Sequence, residues 1–110
     1  MVRLVPRYGN FWPGWTAGLH QTAKEWKAKG MEKVDPEDSM DALFLQHDTD
    51  YANDKLTVGD IRLIRGLEHL NPDPRLWPRP PKDISEAIEY RAKALDCFRA
   101  KVYGKTGVMF

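Results

Sequence analysis

The sequence predicts an all-α fold: an antiparallel helix pair, a third helix packed across it, and a glycine-rich loop in front. Three observations predict it. Apolar residues recur at three- and four-residue spacing in separate stretches, the period of a helix with one buried face. The stretches open on aspartate or threonine and close on glycine or Asn-Pro, which are helix start and stop signals. A single cysteine in 110 residues excludes an internal disulfide framework, so apolar packing must hold the chain together.

The elements follow in order. Residues 1–34 read as a loop and a short helix. Tyr8 to Gly18 carries three glycines and a proline in eleven residues, which suits a loop that turns its carbonyls inward. His20 to Lys29 reads as a short helix stopped by Gly30. Residues 35–70 form the helical hairpin. Asp35 is the expected N-cap, with Pro36 in the first turn and Glu37 and Asp38 at the positive end of the helix dipole. This helix runs to about Asn53, with Met40, Leu43, Phe44, His47 and Tyr51 on its inner stripe. Thr57-Val58-Gly59-Asp60 reads as a capping box opening the second helix. Ile61, Leu63, Ile64, Leu67 and Leu70 form its apolar face, and Asn71-Pro72 ends it. Residues 71–82 are an extended connector, with five prolines around Trp77. Residues 83–110 hold the third helix, from about Asp83 to Tyr103, with Gly104 as its stop. Its expected buried side is Ile84, Ile88, Leu95 and Val102, with Ala92 and Phe98 beside them. The length suits one domain, 1–110.

A formal net charge of +1 gives no polyanion signal, so nucleic acid is not expected as a partner. No apolar run approaches the roughly 18 residues needed to cross a bilayer, and Met1 to Pro6 is too short for a signal peptide. The expected location is cytoplasmic, or one reached by delivery. Cys97 reads as an inert helix residue.

The chemistry concentrates in His47-Asp48-x-x-Tyr51. On a helix His47 and Tyr51 share one stripe and Asp48 lies at its edge. An imidazole, a carboxylate and a phenol within one turn supply a base, a hard-metal ligand and a hydrogen-bonding strut. A carbonyl-lined loop together with a helical aspartate suits Ca²⁺, which takes about six to eight oxygens. His20 and His69 lack partners in sequence and read as structural.

These residues resemble phospholipase A2, whose calcium loop begins Tyr-Gly and whose active helix reads Asp, five residues, then His-Asp-x-x-Tyr. Asp41 lies six residues before His47, at the matching place. The resemblance is greatest to the disulfide-poor phospholipase A2-like domains of bacterial polymorphic toxins and of parvoviral capsids. It covers roughly residues 8–70, and the loop, Tyr8-Gly9-Asn10-Phe11-Trp12-Pro13-Gly14-Trp15-Thr16-Ala17-Gly18, is one residue shorter than the toxin pattern. Where secreted relatives carry two adjacent cysteines, this chain has Leu43 and Phe44, so packing replaces covalent bracing.

The resemblance implies calcium-dependent hydrolysis of the sn-2 ester of phospholipids at a membrane surface. His47 is then the base that activates water, Tyr51 a strut for it, and Asp48 the calcium carboxylate. With the loop gap placed before Trp12, the backbone carbonyls of Phe11, Trp12 and Gly14 complete the metal site; with the gap elsewhere, Pro13 or Trp15 contributes. A second carboxylate should orient His47. Asp60, in Gly59-Asp60-x-x-Leu63, matches the toxin-like spacing, and Asp96 on the third helix is its rival. Trp26, among Lys24, Lys27, Lys29 and Lys33, is either an interfacial anchor or a core aromatic with a solvated charged rim. An immunity or delivery partner would accompany a toxin or virion domain. The alternative is a non-catalytic module that keeps this fold and binds lipid or protein.

Overall fold

The computed structural model describes residues 15–16, 19–32 and 35–110. The described chain is mainly helical. A two-residue antiparallel pair, β1 (Trp15–Thr16) and β2 (Leu19–His20), precedes four helices: α1 (Ala23–Ala28), α2 (Ser39–Ala52), α3 (Leu56–His69) and α4 (Ile84–Thr106). None of the described helices is long and apolar enough to cross a membrane. The loop reading of residues 1–14, 17 and 18 lies outside the described residues.

The helices sit where the sequence expects them, but their ends shift. His20 pairs in β2, so α1 starts later than expected. Its N-cap is Thr22, in a reciprocal capping box with Glu25 at 3.1 and 3.2 Å. The N-cap of α2 is Asp38, not Asp35: its buried carboxylate accepts from the Asp41 amide at 2.8 Å. Asp35 instead pairs with Arg79 at 3.2 Å. The capping box expected at Thr57 does not form, because α3 begins at Leu56 with no side-chain cap. Helix α4 runs through Gly104 and ends at Gly107, whose φ of 72° is left-handed.

Helices α2 and α3 form a tight antiparallel hairpin. Two glycines on α3, one heptad apart and so on one face, set its closeness. A Cβ on Gly59 would lie 2.8 Å from Asp50 Cβ, and one on Gly66 would lie 2.8 Å from Leu43 Cδ2. As the α3 position advances, its α2 partner recedes, which is the antiparallel register. The Asp50 carboxylate, 3 % exposed, accepts from Arg62 of α3 at 2.8 Å and from Gln46 at 3.3 Å, pinning the hairpin near its turn.

The core lies between this hairpin and α4. Met40 and Phe44 of α2, Leu63, Ile64 and Leu67 of α3, and Ala87, Ala94, Leu95, Phe98 and Val102 of α4 fill it, with Trp77. Of the residues expected on the buried side of α4, Ile88 is 51 % exposed and Ala92 is also on the solvent side. The contact stripe runs through Ala87 and Ala94 instead, about 100° round from Ile88. The connector is less extended than expected. It contains a 3-10 turn at Pro74–Leu76 and buries Trp77, whose Nε1 donates to Asn71 O at 2.8 Å. Reciprocal Ser39–Arg79 hydrogen bonds tie it to the start of α2. Trp26 is buried with Ala52 in a small separate cluster, and its Nε1 donates to Glu32 O at 3.3 Å. It is a core aromatic and not a membrane anchor. Cys97 lies on the exposed side of α4, contrary to the usual burial of a free thiol.

Candidate functional site

Three helices converge on His47. Helix α2 carries His47 and, one turn later on the same stripe, Tyr51; their rings are 4.3 Å apart between centroids. Helix α3 contributes Asp60. Helix α4 contributes Phe98, whose ring meets His47 edge-on at 4.8 Å, and, one turn further, Lys101.

Asp60 is the centre of the arrangement. Its Oδ1 lies 2.7 Å from His47 Nε2 and accepts from the Tyr51 hydroxyl at 2.7 Å. Asp60 is fully buried and His47 is 7 % exposed. Lys101 Nζ lies 3.9 Å from Asp60 Oδ2 and donates to the Tyr51 oxygen. The same ammonium sits over the Tyr51 ring, 4.7 Å from its centroid. A fully buried carboxylate is tolerated here because donors converge on it.

Burial pushes the Asp60 carboxyl up. The hydrogen bonds from His47 and Tyr51, with the Lys101 and His47 charges, outweigh burial and hold it below the usual carboxylate range. Tyr51 moves the other way. Burial, then its hydrogen bond to Asp60 and the negative charges of Asp60 and Cys97, push the phenol well above its ordinary value. Around neutral pH, Asp60 is therefore an acceptor and Tyr51 a neutral donor. A neutral His47 then donates its Nε2 proton to Asp60, leaving Nδ1 with the ring's lone pair. A buried ring held in one tautomer by a carboxylate has the form of an oriented general base.

Of the residues singled out from sequence, His47, Tyr51 and Asp60 come together. Asp96 is exposed on α4, and the carboxylate on the His47 ring is that of Asp60. The acceptor geometry also explains why Asp60 makes no capping box: its carboxylate reaches across to α2 rather than back to its own helix. Asp41 is buried and accepts from the Glu37 amide at 2.9 Å, bracing the start of α2. His69 is an exposed residue whose Nδ1 lies 2.7 Å from Arg65 O.

Asp48 is 7 % exposed beside His47. It is a hard oxygen donor, which is the ligand chemistry calcium takes. Among the described residues no three His, Cys, Asp or Glu side chains gather to hold a metal ion. Further calcium oxygens of the expected kind are the carbonyls of Phe11, Trp12 and Gly14, which lie outside the described residues. Lys101 was not anticipated from sequence. Its signal is Phe98-x-x-Lys101, a lysine one turn after a core aromatic and directly before the buried Val102.

A groove of about 500 Å³, bordered by Leu43, Gly66, Leu70 and Trp77 among others, lies toward the other end of the hairpin and includes none of His47, Asp48, Tyr51, Asp60 and Lys101. Comparison of the chain with protein-family models, with curated proteins and with solved structures finds no match, so the geometry of these side chains is the basis for a functional reading.

Proposed function

We propose that the protein is a phospholipase A2-like ester hydrolase that cleaves the sn-2 ester of phospholipids at a membrane surface. The observation that carries this reading is the buried Asp60 carboxylate accepting from both His47 Nε2 and the Tyr51 hydroxyl at 2.7 Å. It supports His47 as a base with a fixed tautomer.

In this reading His47 Nδ1 takes a proton from water as the hydroxyl oxygen attacks the ester carbonyl carbon. Asp60 stabilises the imidazolium that forms, because its carboxylate already accepts the Nε2 proton. Tyr51 holds Asp60 in place. When the tetrahedral intermediate collapses, the bond to the glycerol oxygen breaks, and that oxygen takes the proton from Nδ1. The products are a fatty acid and a lysophospholipid. Calcium, held by Asp48 with the carbonyls of Phe11, Trp12 and Gly14, would supply positive charge for the oxyanion and the substrate phosphate.

The test is release of an sn-2 fluorogenic acyl chain from phospholipid vesicles, with calcium or with chelator. Wild type is expected to be active with calcium at about 10⁻⁴–10⁻³ M. His47→Ala should lose about 10²–10⁴ in rate at any calcium concentration. Asp48→Asn should lose activity that excess calcium partly restores. No hydrolysis by wild type on several headgroups would point to a lipid- or partner-binding module instead.

A further inference from the structure

Lys101 takes no part in the proton transfer proposed above, yet it has a defined place beside it. Asp60 is faced by His47 and Tyr51 from α2 and by Lys101 from α4; Cys97, also on α4, acts on Tyr51. Both hydrogen bonds fall on Oδ1. Asp60 Oδ2 is buried with no hydrogen bond among the described residues, and the Lys101 ammonium stands 3.9 Å from it. Lys101 also donates to the Tyr51 oxygen, whose own proton goes to Asp60 Oδ1. Its side chain is 40 % exposed, and its ammonium lies within 5.9 Å of the Phe98 ring centroid as well as over Tyr51. The lysine charge therefore reaches Asp60 by two routes, directly and through the polarised phenol.

A neutral imidazole and a neutral phenol supply hydrogen bonds but no charge. Those hydrogen bonds favour the carboxylate but fall on Oδ1 alone; without the Lys101 ammonium, desolvation of the buried Oδ2 pushes Asp60 toward its protonated form. Protonated Asp60 would put its proton on the bond to His47 Nε2. Nε2 would become the acceptor, and the ring proton would move to Nδ1. The ring would then lack a lone pair on the side proposed to receive a proton from water.

We propose that Lys101 is a positioning residue: its ammonium keeps Asp60 as the common acceptor of His47 and Tyr51, and so selects the Nε2–H tautomer of His47. The consequence for turnover rests on the hydrolytic reading above; the consequence for the tautomer does not.

The experiment compares wild type with Lys101→Met, which keeps an apolar stem without charge, and Lys101→Arg, which keeps the charge. Nitrogen-15 spectra of the His47 ring at neutral pH, assigned against His47→Ala, read the tautomer. Wild type and Lys101→Arg should show Nε2–H, and Lys101→Met should show substantial Nδ1–H. In the ester assay Lys101→Met should lower kcat about tenfold with KM unchanged, and Lys101→Arg should restore most of it. If Lys101→Met loses its helical circular dichroism, Lys101→Gln takes its place. A neutral variant that is folded and keeps the wild-type tautomer overturns the proposal. If wild type hydrolyses no ester, the hydrolytic reading fails while the ring spectra still decide the role of Lys101.

Discussion

One oxygen, Asp60 Oδ1, receives two donors, and the Asp60 carboxyl and the Tyr51 phenol shift in opposite directions. The lowered Asp60 carboxyl contributes stability above its ordinary value of about pH 4, and that stability is lost as the pH falls through the lowered folded value. The raised Tyr51 phenol contributes below its ordinary value of about pH 10, and its stability is lost as the pH rises above that. Absorbance titration of the native protein should therefore contain a late-ionising tyrosine that Tyr51→Phe removes. In Asp60→Asn this late component should move to lower pH, but not all the way, since burial, the largest cause, remains. A native titration curve whose late part survives Tyr51→Phe would show that Tyr51 is not held by Asp60. The same Asp60→Asn variant should lose activity through the wrong imidazole tautomer, since an amide can present its NH₂ to Nε2.

The hairpin of α2 and α3 brings Asp60 to His47, and the two glycines on α3 carry unequal weight. At Gly59 a new Cβ would meet Asp50 Cβ at 2.8 Å. That atom is fixed to the α2 backbone, so the helices must part. At Gly66 the clash is with the far end of the Leu43 side chain, which can turn. Alanine gains about 1 kcal/mol over glycine inside a helix, whereas overpacking costs about 1–3 kcal/mol. Gly59→Ala is therefore expected to destabilise by up to about 2 kcal/mol and to lower activity, because Asp60 is the next residue. Gly66→Ala should be close to neutral in both. Urea unfolding with the ester assay checks the pair; equal effects at the two sites would mean that the hairpin is not closest at Gly59. This contact also gives a physical reason for a small residue before Asp60.

At the scale of the whole molecule, the main core of the described residues lies between the hairpin and α4, closed at its edge by the connector. Trp77 is 3 % exposed and belongs to that core although it lies outside any α-helix. Its indole also satisfies the Asn71 carbonyl. Trp77→Ala should cost about 3–5 kcal/mol, as large as removing a core residue of a helix, and should release the connector from Ser39. Trp77→Phe should cost less, because most of the ring area is kept and one hydrogen bond is lost. Urea unfolding monitored by helical circular dichroism gives both values. A Trp77→Ala change under about 1 kcal/mol would mean that the connector is dispensable to the core.

Local physics made much of this legible in the sequence. The spacing of Met40, Phe44, His47 and Tyr51 gives a helix with its imidazole on the inner side, because a helix places residues three and four apart on one face. The spacing of Leu63, Ile64 and Leu67 does the same for α3, and thirteen residues separate His47 from the carboxylate that meets it. Where the structure departs from the sequence reading, the difference is a choice between partners. Asp35 is the cap expected for α2, but the Arg79 guanidinium on the connector takes Asp35, and Asp38 caps the helix. Asp60 could cap α3 or reach α2, and burial against His47 and Tyr51 decides for α2. Ile88 is expected on the core side, but the close approach of α4 to the hairpin turns the small Ala87 inward instead. Lys101 belongs to the site only because α4 crosses at the height of Tyr51. Periodicity and caps act within a few residues and are readable along the chain; which of two competing partners a polar group takes depends on helices meeting across the core, and only the tertiary structure brings those together.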